Sequence, residues 1–134
     1  MRTSKHIYHL RQALEVPLAM AQAVAVGNTL HVGAVNSMDP AGKVKGTDDM
    51  EAQLRHLYAN FRTILEAHTV GFEHVIKETI YTKDAEALFH ALSHRQQIYE
   101  DVPPPAVTIV EVSRFIAPAV LVALDAIVEL SAPR

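Results

Sequence analysis

From Met50 to His68 the apolar residues Met50, Leu54, Leu57, Phe61, Ile64, Leu65 and His68 recur at spacings of three and four. That period places them as one stripe along one side of a helix. Asp48 and Glu51 fit a capping pattern, Asp48 at the N-cap and Glu51 at the third helical position. Gly71 is the expected stop. A second helix is predicted from Asp84, with Leu88, Leu92, the Arg95 stem and Ile98 or Tyr99 on its buried side. It ends at Pro103-Pro104-Pro105, because proline cannot continue a helix and drives its predecessor to extended geometry.

Elsewhere the pattern is β-branched. A short first strand is expected over His6 to His9, then strands over Gln22 to Val26 and Thr29 to Val35. Gly27-Asn28 between them reads as a hairpin turn, since both residues tolerate positive φ. Asn36 to Gly46 is turn-rich and reads as a loop. Glu73 to Thr82 alternates and is β-rich, and two further strands, Ala106 to Val112 and Ala119 to Leu130, flank SRFIAP. The stretch PPPAVTIVEV therefore launches what reads as a buried, central strand that carries one acid, Glu111.

The resulting order, β-β-β-α-β-α-β-β, predicts an α+β two-layer sandwich: one mostly antiparallel sheet with two helices on one face. Helices bury one face of such a sheet. Several strands are apolar on both sides, which predicts an oligomer whose sheets meet across subunits.

Length and composition narrow the picture. At 134 residues the chain reads as a single domain, 1–134, large enough for a genuine core. Its 12 Lys plus Arg are scattered and the formal charge is −3. That leaves no basic stripe for nucleic acid and no polybasic membrane patch. Absence of cysteine excludes disulfides, thiolate nucleophiles and Cys-ligated zinc. The polar MRTSKHIYHL is no signal segment and no apolar run spans a membrane, so the expected compartment is the cytoplasm.

The ordered pieces QAVAVGNTLHVGAV (22–35), MDPAGKVKG (38–46), EAQLRHLYANFRTILEAH (51–68), HVIKETIYTKD (74–84), PPAVTIVEV (104–112) and LVALDAIVEL (121–130) resemble the RidA (YjgF, endoribonuclease L-PSP) family. The resemblance implies a chorismate-mutase-like fold, a homotrimer and small-molecule clefts between subunits. Many members hydrolyse reactive enamines and imines, such as 2-aminoacrylate, with neither metal nor organic cofactor. A carboxylate-bearing imine is held by a guanidinium fork, and water attack calls for a nearby group to relay protons.

The departures fall on the cleft. Val107 stands where the family's carboxylate-gripping arginine is usual, and Met20 where a tyrosine is usual. Gly33, Ala34 and Val35 replace Ser-Gly-Gln, Ala123 and Asp125 replace the two acids of the last strand, and Leu92 replaces an asparagine. Met20, Val35, Leu92 and Val107 then read as a pocket turned apolar, suited to a hydrophobic ligand.

Period-two alternation groups Val107 with Ile109 and Glu111, His31 with Gly33 and Val35, and Asp125 with Ala123. His31, Glu111 and Asp125 are thus a candidate acid–base set for water addition. Glu111 and His31 also read as structural, and Asp125 as an interface residue. Arg114 is a candidate anchor for an acidic ligand and otherwise a loop arginine. His90 and His94 have a metal-compatible spacing but no third ligand, so no metal site is assigned. His6 and His9 read as solvated or edge-strand residues. No phosphate loop or aromatic-plus-basic RNA platform supports a ribonuclease. Two readings remain: a C–N hydrolase with altered specificity, or a non-catalytic small-molecule-binding trimer.

Overall fold

The computed structural model describes residues 4–131. Six strands, β1 (Lys5–Tyr8), β2 (Ala23–Val26), β3 (Thr29–Val35), β4 (Val75–Thr82), β5 (Ala106–Glu111) and β6 (Val122–Glu129), form one sheet in the order β1-β2-β3-β6-β4-β5. All neighbours run antiparallel except β4 and β5, which are parallel. The helices are α1 (Gln12–Glu15), α2 (Met50–Ala67), α3 (Ala85–His90) and α4 (Ser93–Ile98). The α+β arrangement expected from the pattern is the observed one.

The core lies between α2 and the centre of the sheet. Leu54, Leu57, Phe61, Ile64 and Leu65 of α2 bury against Leu30, Val32 and Val35 of β3 and alternate residues of β6, Val122 to Val128. Each such side chain contributes about 1.5–3 kcal/mol relative to an exposed one. Gly27 takes the positive φ of the β2–β3 hairpin, at 58°. Asn28 does not, so one residue rather than both supplies the special geometry.

Four local expectations are corrected. Asp48 adopts φ 60°, so the chain enters α2 one residue later, and Asp49 is the N-cap, its Oδ1 accepting from Ala52 N at 3.0 Å. Glu51 instead pairs with Arg55 on the helix surface.

At the other end Thr69, not Gly71, takes the left-handed position, with φ 60°. Val70 N donates to Leu65 O and Thr69 N to Glu66 O, the paired bonds of a Schellman stop. A β-branched residue is costly there. Thr69→Gly is therefore expected to raise stability by about 1 kcal/mol, read as a higher urea midpoint at unchanged slope.

The single second helix is two, α3 and α4, parted at Ala91-Leu92. The break falls where the buried side changes partner: Leu88 and Ala91 enter the apolar core, whereas Arg95 and Tyr99 reach a buried carboxylate, Glu78. His90 and His94 consequently lie on different helices.

Finally, β5 is an edge strand, exposed at every position, rather than a buried central one. Among the described residues nothing covers its apolar side chains, Val107, Ile109 and Val110. Helix α1 and the 3-10 turn Val16–Leu18 were not anticipated; neither carries a buried residue to register as a periodic pattern.

Candidate functional site

The face of the sheet away from α2 carries His31 and Asp125. His31 lies between Val24 of β2 and Ile127 of β6. Asp125 is paired with Thr79 of β4, and the Tyr81 hydroxyl donates to its Oδ2 at 2.9 Å. That hydrogen bond, followed by partial burial and the carboxylate charge, pushes the Tyr81 phenol above its ordinary value. The neutral phenol is the favoured form, so this contact persists through neutral pH and is lost as pH rises through the raised value. Asp125→Ala is expected to bring Tyr81 ionisation to lower pH in an ultraviolet titration.

A bulge between Val32 and Val35 disrupts the alternation of β3. Gly33 and Ala34 are both exposed, and Val35 turns into the core with His31 left on the opposite face. The expected grouping of Val35 with His31 and Gly33 therefore fails, because an inserted residue reverses side-chain phase. Gln22 holds the bulge: its Nε2 donates to Gly33 O at 2.9 Å and Ala34 O at 3.1 Å.

The parallel register pairs Val107 with Glu78, Ile109 with Ile80 and Glu111 with Thr82. Those partners are buried on the helix side of the sheet, so Val107, Ile109 and Glu111 face away from His31 and Asp125. The three proposed acid–base residues are not one set. Glu111 Oε1 accepts from Ala85 N at 2.9 Å, at the start of α3. Leu92 sits at the α3–α4 junction against the core, and Ala123 is buried beside Tyr81. Arg114 is exposed, with Nε donating to Phe115 O.

What the chain does build is a groove at the bulge. One part, about 390 Å³, is walled by Glu15, Met20, Gln22, Gly33 and Ala34. A second part, about 450 Å³, continues past Met20 and Ala21 to Ile7, His9 and Val24. Met20, Gly33 and Ala34 were anticipated here.

Glu15, Gln22 and His9 were not. His9, just past the end of edge strand β1, is partly exposed, and its Nδ1 lies 2.9 Å from Glu15 Oε1. Gln22 N also donates to Oε1 at 2.9 Å, and Arg11 N to Oε2 at 2.6 Å. The available signal was Gln22, a buried amide heading an otherwise apolar strand; nothing marked Glu15 as its neighbour.

Other chemistry is limited. No group of three or more His, Asp or Glu that could hold a metal ion occurs among the described residues. His94 lies beside Arg55, and burial, then the Arg55 and Arg62 charges, lower its pKa. No helix among the described residues is long and apolar enough to cross a membrane.

The profile of the Endoribonuclease L-PSP family matches residues 11–130. The chain belongs to that family. Among L-PSP relatives, a RutC family protein of Pyrococcus horikoshii is 36% identical over 109 residues, covering 80% of this chain and 83% of its own. One from Sulfurisphaera tokodaii is 32% identical, over 70% of this chain and 74% of its own. Among solved structures, a Rid family protein of unknown function from Yersinia pestis superposes with TM-score 0.84 at 20% identity, covering 94% of this chain and 99% of its own. A putative endoribonuclease from Thermotoga maritima gives 0.81 at 24% identity, over 98% of this chain and 100% of its own. Both share the fold of this chain.

Proposed function

We propose that this chain hydrolyses small imines or enamines without a cofactor, as a cytoplasmic homotrimer whose groove is completed by a neighbouring copy. The observation that carries this reading is the groove at the β3 bulge, walled by Met20, Gly33 and Ala34, positions that the sequence resemblance assigns to the family's cleft. The open sheet face supports assembly, since Ile7, Val26, Val110 and Ile127 are all exposed on it. With Val107 in place of the usual arginine, the substrate leans less on its carboxylate and more on apolar contact with Met20. Arg114 follows β5, at the far edge of the sheet from this groove, so it is a reserve anchor only for the groove of a neighbouring copy, and His31 and Asp125 are polar residues of the open face. Glu111 serves as a holding residue for α3.

The test supplies two probes generated in situ: 2-aminoacrylate, and the 2-imino acid of leucine formed by an amino-acid oxidase. Ammonia release faster than the buffer rate is expected for the leucine imine, with little or none for 2-aminoacrylate. Light scattering should report a mass of three chains. No acceleration with either probe would remove the hydrolase reading and leave a small-molecule-binding trimer.

A further inference from the structure

We infer that His9, held by Glu15, is the proton acceptor of this groove. Resting on the hydrolase reading, the inference assigns its acid–base role to residues outside the His31, Glu111 and Asp125 set. Glu15 is the positioning residue. Its carboxylate accepts three hydrogen bonds, from His9 Nδ1, Gln22 N and Arg11 N. Two of those donors are backbone amides, so the carboxylate is fixed relative to the β2 entrance and the start of α1. A carboxylate can only accept, and Nδ1 must therefore carry the proton in this contact. In the neutral ring that leaves Nε2 unprotonated and free to accept. Among the described residues Nε2 has no hydrogen-bond partner, and the ring borders the groove beside Met20 and Val24. The pair is sheltered, with side-chain exposures of 23% for His9 and 12% for Glu15.

For an imine the balance is simple. Nε2 takes one proton from water as the water oxygen bonds the imine carbon and the C=N π pair passes to nitrogen. Returning that proton to nitrogen gives the carbinolamine. A second transfer, from the carbinolamine hydroxyl through Nε2 to nitrogen, forms C=O, breaks C–N and releases ammonia.

The experiment uses the full chain. Long-range 1H–15N spectra of the labelled imidazoles should show neutral His9 protonated at Nδ1, with the preference lost in Glu15→Ala. A wild-type ring protonated at Nε2 overturns the inference whatever the activity, and needs no variant to fold. With the leucine imine as probe, folded His9→Gln should lose about 100-fold or more in kcat/KM, chiefly in kcat. Wild-type turnover in that variant overturns the role of His9 and leaves the hydrolase reading standing. If the wild type itself does not turn over the imine, that reading fails first. Titration with the product acid, 4-methyl-2-oxopentanoate, then decides: saturable shifts of the His9 ring keep it as the groove's acceptor, and none overturns it.

Discussion

Arg95→Met should cost about 3–5 kcal/mol, because it leaves a carboxylate buried without its cation. Glu78 is fully buried, yet Oε1 accepts from Arg95 Nε at 2.9 Å and the Tyr58 hydroxyl at 2.9 Å. Oε2 accepts from the Tyr99 hydroxyl at 2.6 Å. Burial, then the Glu78 charge, pushes both phenols up, Tyr58 well above its ordinary value. They therefore act as neutral donors throughout the ordinary pH range. Burial by itself would lower the Arg95 pKa, but Glu78 and Tyr58 more than offset it and the net direction is upward. The guanidinium also lies 4.8 Å from the Tyr99 ring centroid.

For a chain of this size the loss corresponds to a fall in Tm of about 10–20 °C at fixed protein concentration. Glu78→Gln combined with Arg95→Met should lose less than Arg95→Met alone, since no charge is then stranded. A single-variant cost below about 1 kcal/mol would mean that the pair is not the fastening it is taken to be.

Phe61→Ala should cost a similar amount, about 3–5 kcal/mol, by opening a cavity that the sheet cannot close. Phe61 is fully buried, with ring centroids 5.7 Å from Phe72 and 6.4 Å from Tyr58. Phe72 in turn meets Tyr99 edge-on at 5.6 Å. One line of rings thus joins α2, the turn leading into β4 and the end of α4. Its loss should loosen Tyr99 as well, so Phe61→Ala and Arg95→Met should combine non-additively. Urea unfolding of both single variants and the double variant measures this. Strict additivity would show that the ring line and the Glu78 network are independent.

Helix α2 and the strands were legible in the sequence because their signal is local. A 3.6-residue stripe and period-two runs show within ten or twenty residues what a helix or sheet will bury. The turn at Gly27 was legible for the same reason. The ends of α2 were less so: Asp48 and Asp49 are both competent caps, and only the backbone path selects the second. Thr69 is chosen as the stop because tertiary packing of Val70 and Leu65 outweighs its poor fit to left-handed geometry.

The candidate site divides along the same line. Met20, Gly33 and Ala34, assigned to the cleft by the order of motifs, border the groove at the bulge. Val35 could not, because one inserted residue in β3 reverses which face a side chain takes. Glu111 could not be separated from His31 and Asp125, because which face of β5 joins which face of β4 depends on register between distant segments. Helix α2, the six strands, the order of these elements and the family could be read from the sequence, because local periodicity and the order of motifs set them. That His9 meets Glu15, and that Glu78 meets Arg95, Tyr58 and Tyr99, follows from three-dimensional packing alone. Those meetings are set by how helices and strands stack. A polar residue carries no local mark of the partner that burial will bring to it.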